Sequence, residues 1–102
     1  MAFGIGINTN ENICPEKKGN RMDIACECWY TKSGRSIPLK IKYEDEDGTV
    51  RTIRSIQVLY TEKKNYSGIP SIEHQCILNI YGIELSVSLI FYTEENRWVM
   101  VY

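Results

Sequence analysis

Cys26-Glu27-Cys28 and His74-Gln75-Cys76 are the two places where this chain concentrates side chains that bind metals or act as nucleophiles. Each is a ligand-x-ligand pair. Brought together, they would offer three thiolates and one imidazole, a set suited to tetrahedral zinc. The spacing argues against that use. Structural zinc sites take ligands from a tight knuckle, usually with two to four residues between them. Same-face neighbours on an extended strand stand about 6–7 Å apart, which is too far for a shared ion or a disulfide without local distortion. The preferred reading makes Cys26, Cys28 and Cys76 small buried hydrophobes and His74 a hydrogen-bonded core histidine. A zinc site from Cys26, Cys28, His74 and Cys76 remains the lesser alternative, and no cofactor is expected.

Catalysis finds little support. A Cys–His nucleophile needs an exposed thiol of lowered pKa, whereas the alternation turns three of the four cysteines inward. Cys14 lies in an irregular lead-in with no evident base. The chain has no G-x-S-x-G, no glycine-rich phosphate loop and no H-E-x-x-H. Its carboxylates cluster in turns, at Glu44 to Asp47 and at Glu94-Glu95. Asp45-x-Asp47-Gly48 has the start of a calcium loop without its later ligands. A non-enzymatic role is expected.

Two binding surfaces can be read instead. Ile77, Ile90, Val99 and Val101 fall on the sheet face opposite the core, where a half-buried sheet should be polar. Trp29 shares that parity and is the kind of residue that anchors protein interfaces. These five residues point to contact with another protein or self-association, unless residues 1–21 cover the stripe. The alternative is single-stranded nucleic acid, held by Lys40, Lys42, Arg51 and Arg54 with nearby aromatics. Charge supports this only locally. Residues 1–43 carry seven Lys/Arg against four Asp/Glu and residues 44–102 five against nine, so the net charge is only -1.

The elements that must position these residues are strands. Ile72, His74, Cys76, Leu78 and Ile80 alternate toward Tyr81-Gly82, and Ile83, Leu85, Val87, Leu89 and Phe91 alternate away from it. A hairpin there sets Ile80 against Ile83, Leu78 against Leu85, Cys76 against Val87 and His74 against Leu89. A second turn at Ser33-Gly34 would pair Tyr30 with Ile37, Cys28 with Leu39, Cys26 with Ile41 and Ile24 with Tyr43. It also sets Glu27 across from Lys40 and Trp29 across from Pro38. Pro38 cannot donate to a ladder, so an edge or bulge is expected beside it. Apolar parity slips between Val50 and Ile56, which calls for a bulge or bend near Thr52–Ser55. Thr61 to Ser71, with Lys63-Lys64-Asn65, Gly68 and Pro70, reads as the longest loop. A last turn at Thr93–Asn96 sets Phe91 against Trp98, Leu89 against Met100 and Ile90 against Val99.

No stretch has the i, i+3, i+4, i+7 spacing of an amphipathic helix. The expected fold is therefore all-β: one antiparallel meander of about six strands, each paired with the next, curled into an SH3-like or similar open barrel. With 102 residues, 43% of them hydrophobic, one domain is expected. It spans residues 22–102 behind an irregular lead-in, residues 1–21, that holds at most a short strand at Phe3–Ile7. No apolar run approaches the roughly 20 residues that cross a bilayer as a helix. Together with the absence of an export signal, this makes a cytoplasmic protein with reduced thiols the expectation. The short, Ile-, Lys- and Asn-rich sequence is of bacterial style. The functional expectation is a small binding or accessory module that acts through its sheet surface.

Overall fold

The alternation of β-branched and aromatic residues from Arg21 onward is realised as seven antiparallel strands in the computed structural model, which describes residues 19–102. They are β1 (Arg21–Tyr30), β2 (Ser36–Glu44), β3 (Val50–Ile53), β4 (Ile56–Tyr66), β5 (Ile69–Ile80), β6 (Ile83–Tyr92) and β7 (Arg97–Val101). No helix occurs among the described residues, and so none that is long and apolar enough to cross a membrane. The short strand expected at Phe3–Ile7, Cys14 and most of the lead-in lie outside the described residues.

The strands form one curled sheet in the order β3-β2-β1-β7-β6-β5-β4, an open half-barrel consistent with a small barrel. Consecutive strands pair as in a meander at every junction but one. β3 and β4 follow each other in sequence yet lie at opposite edges, because the chain breaks at Arg54-Ser55 where the apolar parity slips. β1 joins the two halves. Its residues Arg21 to Ile24 pair with β7, and Ala25 to Tyr30 pair with β2. Ile24 thus faces Trp98, and Tyr43 faces Arg51, in place of the expected Ile24–Tyr43 pair.

The β5–β6 register matches the alternation at every expected pair, from His74–Leu89 to Ile80–Ile83. The Phe91–Trp98, Leu89–Met100 and Ile90–Val99 pairs also form. In the first hairpin, Cys26–Ile41 and Glu27–Lys40 hold, but the register then shifts to Cys28–Pro38, Trp29–Ile37 and Tyr30–Ser36. Leu39 is the extra residue. A bulge beside Pro38 is the expected result of a residue that lacks an N–H.

The segment 61–71 is not a loop. Thr61 to Tyr66 continue β4 and pair with Ile69 to His74 around a two-residue turn at Ser67-Gly68, where the Gly68 N–H donates to Asn65 Oδ1 at 2.9 Å. Its ladder was hidden because this edge hairpin meets solvent and shows no apolar alternation.

The inner face carries the core: Ile41, Cys76, Leu78, Val87 and Leu89 are fully buried, with Trp98 and Met100 beside them. Trp98 stacks on the His74 ring at 5.7 Å between centroids and packs at a tilt against Phe91 at 5.0 Å.

Candidate functional site

At the end of the half-barrel marked by the Tyr81-Gly82 turn, the core is open. Leu78 and Met100 form the floor of a hollow of about 370 Å3 whose walls include Ile53, Ile80, Leu85 and Tyr102. The β6–β7 ladder ends at Ser88–Val101, so from Val87 to the hairpin tip β6 pairs only with β5. Ile83 is 70% exposed and Leu85 40%, although both belong to the core-facing set. Tyr81 at the tip is 93% exposed. Its φ of 52° is a left-handed conformation that a bulky residue adopts only at a cost.

The rim of the hollow is acidic, with Glu44 at the end of β2 and Asp45 and Glu46 in the turn to β3. Asp45 organises that turn. Its Oδ1 accepts from the N–H groups of Asp47 at 3.3 Å and Thr49 at 3.1 Å, and its Oδ2 holds the Arg51 Nε at 2.7 Å. Asp47, which accepts from the Thr49 N–H, is lowered to about 2 by hydrogen bonds within this turn. Beyond the Ile53–Ile80 ridge lies a larger, more polar hollow of about 690 Å3 that reaches Arg51, Arg54 and Tyr81. The hollow thus combines an apolar floor with an exposed, acidic rim, the concave and mostly apolar form that ligand sites share.

The expected site residues fall in several places. Ile90, Val99 and Val101 form a cluster on the outer face with Tyr92 against it, and they are only 4%, 2% and 5% exposed. Ile77 is half-buried across from Ser86 and does not join the cluster. Trp29 is 68% exposed but stands across from Ile37, at the far end of β1. The five are not one surface.

The basic residues divide as well. Lys40 and Lys42 share the outer face of β2, with Lys40 Nζ 3.6 Å from Glu27. Arg51 pairs with the core-facing Tyr43 and is tied to Asp45, and Arg54 lines the polar hollow.

His74 is fully buried on β5 with both ring nitrogens occupied. Nε2 shares a hydrogen bond with Ser36 Oγ at 3.1 Å and Nδ1 shares one with Thr61 Oγ1 at 2.9 Å. Burial lowers its pKa, which keeps the ring neutral. The order hydroxyl–imidazole–hydroxyl resembles a catalytic relay, yet Ser36 is itself buried and Nδ1 meets the Thr61 hydroxyl where a relay has a carboxylate. Cys76 Sγ donates to the His74 carbonyl, and burial raises Cys76 to about 12. Cys26 is also pushed up to about 12, first by burial and then by Cys28 and Cys76 nearby. Among the described residues no three His, Cys, Asp or Glu side chains converge to hold a metal ion.

The mouth was missed in the sequence, although one signal pointed to it. The apolar series runs to the very tip of its hairpin, Ile80-Tyr81-Gly82-Ile83, where a solvated turn would be polar. Comparison of this chain with family models, with curated proteins and with solved structures finds no match.

Proposed function

We propose that this protein is a small non-enzymatic binding module that engages another protein through the open mouth of its half-barrel. One observation carries the reading: core residues Leu78 and Met100 floor a hollow around which Tyr81, Ile83 and Leu85 stand exposed. Apolar side chains grouped in this way mark contact surfaces, while single exposed ones are ordinary. A partner's side chain seated in the hollow would complete the packing that the half-barrel leaves unfinished. The outer stripe offers less, since three of its members are already buried. The four basic residues, divided between two faces, give nucleic acid no continuous track.

A photo-crosslinking amino acid placed at Ile83 and, separately, at Glu94 tests this reading in cells that express the chain. Ile83 begins β6, and Glu94 lies in the turn beyond its other end. The expected result is a discrete protein adduct from position 83 and none from position 94. The same adducts from both positions, or none from position 83, would reject the mouth as the docking surface.

A further inference from the structure

The chain enters the described structure beside the mouth. Met22 and Tyr102 line the hollow, and the Tyr102 N–H donates to the Asn20 carbonyl at 2.9 Å. The residues that precede β1 are therefore tethered at the opening. Next to it lies an unused strand edge. The β6–β7 ladder stops at Ser88–Val101, and Ile83 to Ser86 are exposed and pair only with β5 among the described residues. In an antiparallel ladder closed by the Ile80–Ile83 pair, the backbone groups of Glu84 and Ser86 point away from β5. Such an edge is a template for another strand.

Residues 1–18 contain one segment of matching pattern. Phe3, Ile5 and Ile7 alternate with Gly4 and Gly6, which gives an extended chain one apolar face and one bare face. Glycine weakens a strand on its own, so an existing edge is the place for it to form. Reach is ample: the eleven residues 8–18 span up to about 36 Å when extended, and the hairpin tip stands about 17 Å beyond Ser88. The outer apolar cluster is a poorer place to dock. Ile90, Val99 and Val101 are at most 5% exposed, and a hydrogen bond from Arg21 to the Tyr92 hydroxyl spans the Ile90–Val99 pair.

We infer that the segment Phe3–Ile7 of the same chain docks in the mouth: it adds a strand to the free edge of β6 and lays its apolar face over Leu78 and Met100. Beyond the partner docking proposed above, the mouth thus has an occupant within the chain. A tether of this length holds it at about millimolar effective concentration, so a partner segment must displace it.

The test follows amide hydrogen exchange in the 15N-labelled full chain and in the variant Phe3→Ser/Ile5→Ser/Ile7→Ser. Glu84 and Ser86 are expected to exchange about tenfold more slowly in the wild type than in the variant, while Leu89, inside the ladder, exchanges alike in both. In cells, the partner adduct from a photo-crosslinker at position 83 should rise about twofold or more in the variant. An adduct from position 83 with equal exchange in the two chains overturns the lead-in as occupant and leaves the docking reading standing. A matching change at Leu89 overturns it too, by assigning the effect to general stability. Protection that grows with protein concentration would place the segment of a second copy there, against the assignment to the same chain. Slow exchange in the wild type without an adduct keeps the lead-in in the mouth and rejects the partner.

Discussion

Ser36 on β2 and His74 on β5 are 38 positions apart in sequence and share a 3.1 Å hydrogen bond across a seam that no backbone ladder closes. The same imidazole reaches Thr61 on β4 at 2.9 Å. One buried ring thus links the two halves of the half-barrel at the place where its strands approach without pairing.

This linkage makes stability depend on pH. Burial lowers the His74 pKa, so the folded protein resists a proton that the unfolded chain accepts. The His74 contribution is present in full above the unfolded value of about 6.5. It is lost as pH falls from there toward the lowered folded value, and is constant below it. Urea midpoints of wild type and His74→Gln, measured from pH 8 to pH 5, should converge as pH falls. Parallel curves would remove His74 as the source.

The two apolar stripes should respond oppositely to a charge. Ile90 is buried in the outer cluster, so Ile90→Glu should cost about 3 kcal/mol or more, through an unpaired buried carboxylate and lost packing. Ile83→Glu, at the exposed rim, should change stability by less than about 0.5 kcal/mol while abolishing docking. Chemical denaturation of both variants provides the comparison, and similar losses would contradict the assignment.

Two of the thiols, Cys26 and Cys76, should be slow to react in the native state. Cys76 is fully buried and raised to about 12, so iodoacetamide at pH 8 should modify it only on unfolding. Cys26, also raised to about 12, should react far more slowly than a free thiol. Peptide mass spectrometry with and without denaturant reads both sites, and rapid native labelling of Cys76 would count against the packing described.

Tyr81 should display a conflict between stability and binding. Its positive φ, next to Gly82 at 82°, gives both central residues of this turn left-handed conformations, a geometry best served by Asn-Gly. Tyr81→Asn should raise stability by about 1 kcal/mol and weaken docking of the partner protein at the mouth. Thermal melts and the yield of the cross-link from position 83 test both halves. Stabilisation with unchanged binding would show that the ring takes no part in docking.

Ser71 Oγ is buried and has no hydrogen-bond partner among the described residues. Ser71→Ala removes a polar group that gains nothing on folding and should stabilise the protein by about 1 kcal/mol, as read from urea midpoints.

Most strand pairings were legible because period-two alternation leaves one register that sets the apolar series on a single face, as from His74 to Phe91. The β4–β5 hairpin beyond Thr61 was not, because an edge ladder in solvent needs no such pattern. The Leu39 bulge was foreseeable from Pro38, but its consequence for Trp29 was not: one extra residue moves each later pair by one position. The mouth was illegible for a different reason. Ile83 and Leu85 carry the same signal as Val87 and Leu89, and only the tertiary structure, in which β7 ends beside Ser88, leaves the first two uncovered.

By itself, then, the sequence determined which residues face inward along each regular strand, since that follows from the local geometry of an extended chain. Only the tertiary structure decided how far that inner face is enclosed. Closure depends on where β3 stops and β4 departs, and on His74 reaching Ser36 and Thr61 from two other strands. Those are long-range relations that no local periodicity encodes.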